Sequence, residues 1–203
     1  MSKITNTGLF ITEGASAAAD TAGQGQIWVK SDAPSSLYYT NDAGTDFRMG
    51  GITLGTEVTP TSVTVVDYTS IPVGVKRILI AFEGLSTDGS GKWLIQLGTG
   101  GSAETSGYVS QAWAATNNAA TSTAGFVLNY NSDASYLSDG IIILQSIEPT
   151  GVTWVSSSQV QYSSAYAGRG TGRKTLAGAL DMVRITTDAA DDFDAGSVNI
   201  SFS

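Results

Sequence analysis

The densest array of potential metal ligands in this chain is Asp188-Ala189-Ala190-Asp191-Asp192-Phe193-Asp194-Ala195-Gly196. Carboxylates this close bind Ca²⁺ when a loop wraps them around the ion. The helix-flanked calcium loop needs oxygen ligands at positions 1, 3 and 5, Gly at 6 and Glu at 12. Counted from Asp188, positions 3, 5, 6 and 12 are Ala190, Asp192, Phe193 and Asn199, so the spacing fails. The segment reads as a solvated connector before the last strand, and no metal ligand is assigned. Gly168-Arg169-Gly170-Thr171-Gly172-Arg173-Lys174-Thr175 has the glycines and cations of a phosphate-binding loop. Such a loop places Gly directly before Lys so that successive amides wrap the phosphates, and here Arg173 intervenes. No strand-helix-strand pattern surrounds it. It reads as a flexible hairpin connection whose three cations stand out against an acidic chain.

Carboxylate catalysis has the candidates Glu57, Glu83, Glu104, Glu148, Asp67 and Asp181, and a glycosidase holds two such groups ~5–10 Å apart. Spacing along the chain does not test that separation, and any β-rich domain of this size carries several strand-end carboxylates. Lys76, Arg77 and Lys92 are available to activate a serine, yet no Gly-x-Ser-x-Gly elbow occurs. The chain contains no His and no Cys, which removes imidazole bases, thiolate nucleophiles, His- or Cys-ligated metals and disulfides. The residues assign no catalytic role and no cofactor, and the expectation is a non-enzyme. Aromatic rings beside turns can stack on sugars. Trp113, Asn117 and Tyr136 are the candidate glycan contacts on that basis, although most Trp and Tyr of a β-sandwich pack its core.

A formal charge of −8 over 203 residues repels phosphate backbones, so nucleic acid is not an expected partner. The longest aliphatic run, Ile141-Ile142-Ile143-Leu144, falls far short of the ~20 residues that cross a bilayer, and no membrane insertion is expected. The first residues show no basic stretch followed by an apolar run, so synthesis in a cytoplasm without a secretory signal is expected.

The elements that would position these residues are strands. Residues 26–30, 36–40 and 45–49 are three short apolar blocks joined by turn-forming Asp, Asn, Pro and Gly, which predicts a three-stranded meander. The small-residue stretch 15–23 before it is a short helix or a loop passing over a surface. A sheet this small is marginal alone, so its aromatic residues must be covered, by the rest of the chain or by other subunits. Gly50-Gly51 marks the boundary, giving an N-terminal docking or trimerisation meander at 1–51 and a second domain at 52–203. There, period-2 segments at 52–58, 62–68, 76–85, 92–97, 108–115, 125–130, 140–147, 152–161, 174–179, 181–186 and 197–202 alternate with Gly, Asp, Asn and Ser clusters. That pattern predicts an all-β chain: the meander followed by an antiparallel β-sandwich, with a jelly roll as the expected arrangement.

Ala22-Gly23-Gln24-Gly25-Gln26-Ile27-Trp28-Val29-Lys30, followed by Asp32-Ala33-Pro34-Ser35-Ser36-Leu37-Tyr38-Tyr39-Thr40-Asn41-Asp42-Ala43-Gly44-Thr45-Asp46-Phe47, resembles a module of structural proteins in tailed-bacteriophage virions. Residues 71–86, 94–98 and 107–108 are similar, more loosely, to C-terminal β domains of phage fibre-like or capsid-surface proteins. The resemblance implies a virion component, commonly a homotrimer, made in the host cytoplasm. A tail fibre carries an attachment domain and a repetitive shaft before its tip, and neither is seen here. The expectation is therefore a capsid decoration subunit, a cement or short head-fibre protein, partnered by itself and by the major capsid protein or neighbouring virion proteins. Leu9, Phe10, Ile27, Trp28, Tyr38, Tyr39 and Phe47 are its candidate oligomer or docking interface. The alternative is a tail-fibre or receptor-binding tip that recognises a host-surface glycan.

Overall fold

The structure is a computed structural model that describes residues 3–5, 8–19, 22–31, 36–49, 51–114, 119–129, 133–162 and 166–203. No helix occurs among them, and the chain is all-β. It divides into two compact units, Met1–Ile52 and Thr53–Ser203.

The first unit holds β1 (Lys3–Thr5), β2 (Gly8–Phe10), β3 (Glu13–Gly14), β4 (Gln26–Lys30), β5 (Ser36–Thr40) and β6 (Asp46–Arg48). β1 and β2 form a hairpin, and β4-β5-β6 is the expected antiparallel meander. β3 adds in parallel to β4, a pairing too short for the sequence to signal. The β5–β6 turn is closed by Asn41, whose side-chain oxygen accepts from the amides of Ala43 (3.1 Å) and Thr45 (2.8 Å). Gly44 supplies the positive φ of +76° that the turn needs. The described part of the small-residue stretch is loop, clipped to the meander by Gln26: its side-chain oxygen accepts from the Ala18 amide and its NH₂ donates to the Ala18 carbonyl.

The second unit holds β7 (Thr53–Leu54), β8 (Val65–Tyr68), β9 (Arg77–Thr87), β10 (Trp93–Thr99), β11 (Ser102–Ala103), β12 (Val109–Ala114), β13 (Ala119–Ser122), β14 (Phe126–Val127), β15 (Ser138–Ser146), β16 (Thr153–Gln161), β17 (Ala167–Thr175), β18 (Met182–Thr187) and β19 (Phe193–Phe202). An eight-stranded sheet runs β13-β12-β17-β16-β15-β9-β19-β7, and a five-stranded sheet runs β11-β10-β18-β8 with β14 also on β10. β15, β16 and β17 are a consecutive meander, whereas the chain changes sheets between β9 and β10 and again on either side of β18.

The sandwich closes by burying one face of each sheet against the other, and in β10 six successive residues, Trp93 to Gly98, are buried. Ile78, Ile80, Phe82, Ile142, Leu144, Val198 and Ile200 of one face meet Trp93, Ile95, Leu97, Val183 and Ile185 of the other in one core. Trp93 meets Phe82 and Phe193 edge-on at 5.7 and 5.8 Å, tying the layers together. The alternation predicted for residues 197–202 is present, with Val198 and Ile200 buried.

Residues 168–175 are not a hairpin connection. They lie in β17, an interior strand paired with β12 on one side and β16 on the other. Its inward residues are Gly168, Gly170, Gly172 and Lys174, while Arg169, Thr171 and Arg173 face outward. A Cβ on Gly170 would stand 2.9 Å from the Val127 carbonyl oxygen, and one on Gly172 would stand 2.6 Å from the Phe126 ring. The glycines therefore admit the short strand β14 against the sheet, as strand glycines do where backbones approach closely. Ser110, Ala112, Ser156 and Ser158, the inward cross-strand neighbours of Gly170 and Gly172, are equally small. The strand expected at 174–179 ends at Thr175, and the one expected at 52–58 is reduced to β7 plus a bridge from Val58 to Val198. The acidic connector is shorter than expected, because β19 already begins at Phe193.

Candidate functional site

Two surfaces stand out, one on each unit. In the meander, pairing fixes the rows Ile27-Tyr39-Phe47 and Val29-Leu37, and the Met49 amide donates to the Leu37 carbonyl to extend the second row. Period 2 puts Ile27, Val29, Leu37, Tyr39, Phe47 and Met49 on one face. Ile27 is 57% exposed, Met49 43%, Tyr39 39%, Phe47 38% and Leu37 37%, so no described residue of the first unit covers this face. Tyr39 and Phe47 stack at 6.3 Å, and the Tyr39 ring lies over Gly25, where any Cβ would clash with it.

The opposite face satisfies itself. Trp28 is buried and stacks on Tyr38 at 5.1 Å, and its indole N–H donates to the Thr40 hydroxyl at 2.8 Å. That hydroxyl donates to Asp46, and the Lys30 ammonium lies 5.7 Å above the Tyr38 ring. The expected interface residues are thus divided: Ile27, Tyr39 and Phe47 are brought together, Trp28 and Tyr38 point the other way, and Phe10 is exposed on β2. The Leu9 side chain lies outside the described residues. Sequence reasoning missed Val29, Leu37 and Met49. The signal was present in the alternation of their strands, which aromatic content overshadowed.

The second surface is the outer face of the eight-stranded sheet. Cross-strand register places Trp113, Arg169, Gln159, Ile141 and Ala81 in one row across β12, β17, β16, β15 and β9. The sheet is concave here and forms an open groove of about 1420 Å³. Thr171 and Ser157 line one side of the row, and Asp139, Gln161 and Ala167 the other. Asp139 is the one carboxylate among the described lining residues, and it accepts from the Gly84 amide at 2.8 Å. Of the candidate glycan contacts, Trp113 lines the groove. Tyr136 instead joins Tyr162 and Tyr166 in a cluster with centroids 6.2–6.4 Å apart, and Asn117 lies outside the described residues.

Several of the remaining carboxylates hold loops or bridge neighbouring strands. Glu104 pairs with the buried Lys174 at 2.6 Å and accepts from the Ala177 amide, and Lys174 also donates to the Ser106 carbonyl and lies 5.1 Å over the Tyr108 ring. Burial raises the Glu104 pKa, but the Ala177 amide and the Lys174 ammonium outweigh it and hold the carboxyl below its ordinary value. Asp67 takes Arg184 in a two-point pair, and Asp181 accepts from the Gly101 amide. Glu148 accepts from the Thr153 amide, whereas Glu57 and Glu83 are exposed. Burial, then the Glu57 charge, pushes the Tyr68 hydroxyl up to about 12, and that hydroxyl donates to the Val198 carbonyl. In the acidic loop, Asp191 accepts from the Gly91 amide and Asp188 pairs with Lys92. No group of three or more acidic side chains among the described residues is arranged to hold a metal ion.

Neither a protein-family model, nor a curated protein, nor a solved structure matches this chain.

Proposed function

We propose that the protein is a non-enzymatic structural subunit displayed on a bacteriophage virion, a homotrimeric capsid decoration protein of the cement or head-fibre kind. The observation that carries this reading is the bare face of the meander, with five large apolar side chains each more than a third exposed. An apolar sheet face with its opposite face already satisfied needs a covering partner, and identical copies supply one in the same register every time. The resemblance of residues 22–47 to a virion module supports the same role. So does the use of the engaged carboxylates as structural contacts, paired with cations or backbone amides rather than with one another.

Two measurements test it. Light scattering on the purified chain should give three times its 20.9 kDa mass. Gold-labelled antibody on particles of the encoding phage should mark the head. A stable monomer overturns the trimer, and label confined to the tail transfers the assignment to the fibre alternative.

A further inference from the structure

We infer that the groove on the outer face of the eight-stranded sheet binds a carboxylated oligosaccharide, independently of how the subunit assembles. The groove crosses β12, β17, β16, β15 and β9, all interior to the sheet except at its far ends, so their backbone groups are consumed in ladders. A peptide laid across them finds no edge to extend, which removes the usual source of affinity for an extended chain. What the groove offers instead are side chains: the half-buried indole of Trp113 at one end, then Arg169 and Gln159, with Thr171 and Ser157 alongside. A pyranose fits this set. Its C–H face packs on an indole, and its hydroxyls exchange hydrogen bonds with amides and hydroxyls.

The charge argues for an acidic sugar. The chain has 18 acidic and 10 basic side chains, so cations have carboxylates to choose from. Among the described residues only Lys92, Lys174 and Arg184 form ion pairs, which leaves Arg169, and Arg173 two residues along the same face, without one. A guanidinium displayed beside Gln159, Thr171 and Ser157, with the groove's one carboxylate, Asp139, two strands away and engaged by the Gly84 amide, matches a ligand carboxylate in two-point geometry. From Trp113 to Ala81 the row spans four inter-strand steps, roughly 19 Å, which is oligosaccharide rather than monosaccharide length.

Calorimetry of the full-length chain with oligogalacturonate, against a neutral cello-oligosaccharide of equal length, tests the inference. Saturable binding of the acidic oligomer is expected, at least tenfold tighter than the neutral one and weakening with salt. Arg169→Gln, an exposed change that leaves packing untouched, should cost at least tenfold, as should Trp113→Ala. Arg77→Gln, on the same face outside the groove, should leave affinity unchanged. Absence of oligogalacturonate binding, equal affinity for the neutral oligomer, or indifference to Arg169→Gln overturns the proposal. A self-association broken by Arg169→Glu would also overturn it, because the face would then be occupied by a second copy. None of these outcomes depends on where the subunit sits in a virion.

Discussion

Replacing Ile27, Tyr39 and Phe47 together by Thr removes one row of the bare meander face while keeping residues that favour strands. Fully burying a large apolar side chain is worth about 1.5–3 kcal/mol. At 57%, 39% and 38% exposure, these three have roughly 1 kcal/mol each still to gain from a partner. Thr retains a methyl group, so the loss is about 2 kcal/mol per face and about 6 kcal/mol for a trimer that buries three faces. At 1.4 kcal/mol per decade, the monomer–trimer association constant should fall by about four orders of magnitude. The entropy of association is common to both proteins and cancels. Sedimentation velocity over a concentration series reads the shift, and Ile141→Thr, a change at a side chain 43% exposed in the second unit, is the control. Trp28→Ala is the wrong probe, because Trp28 packs on Tyr38 and donates to Thr40 on the opposite face, so its loss disrupts the sheet itself. An unchanged association constant in the triple variant, or a monomeric parent protein at every concentration, refutes the reasoning.

Two further outcomes concern the sandwich. The Glu104 pKa is held below its ordinary 4.5, so the Lys174 pair contributes stability that is present above that value and is lost as pH falls through the folded-state pKa. Glu104→Gln removes the countercharge of the buried Lys174 and leaves it neutral oxygen acceptors and the Tyr108 ring. It should cost about 3 kcal/mol near neutrality and flatten the acid limb of a urea-midpoint-versus-pH profile, and a variant with the parent's acid limb contradicts this account. Gly172→Ala drives a Cβ to within 2.6 Å of the Phe126 ring and 2.8 Å of the Val109 carbonyl oxygen, and should cost about 1–3 kcal/mol in chemical denaturation. Arg173→Ala, one residue away on the outer face, should stay within about 0.5 kcal/mol. Equal effects of the two would show that β17 does not carry its glycines against β14.

How far the sequence discloses the fold depends on whether alternation is written in hydropathy. It is so written in Val198, Ile200 and Phe202, and in Val183 and Ile185, and those strands are where the pattern put them. In β17 the period is equally strict, but the inward positions are Gly168, Gly170 and Gly172, which carry no side chain to register as apolar. Gly-x-Gly-x-Gly then has the composition of a turn, and only the sheet shows it to be a strand that makes room for β14. The meander poses the opposite case. Its alternation is apolar on one face, yet aromatic residues occur on both faces, so a reading by residue type merged Trp28 and Tyr38 with Ile27, Tyr39 and Phe47.

The groove was illegible for a different reason. Trp113, Arg169, Gln159, Ile141 and Ala81 share a row only because β17 inserts between β12 and β16, and because β15 pairs with β9 rather than with its predecessor in the chain. Non-local pairing of this kind is settled by which faces can be buried together. The small inward residues of β12, β16 and β17 accommodate β14, and that close approach fixes the inner side of all three strands. Once Gly170 must face Val127, Arg169 has no choice but the outer face beside Trp113. The inner glycines thus determine which cation the groove displays, and a β17 forced one residue out of register would bury Arg169 and Arg173 against β14 while turning the glycines toward solvent.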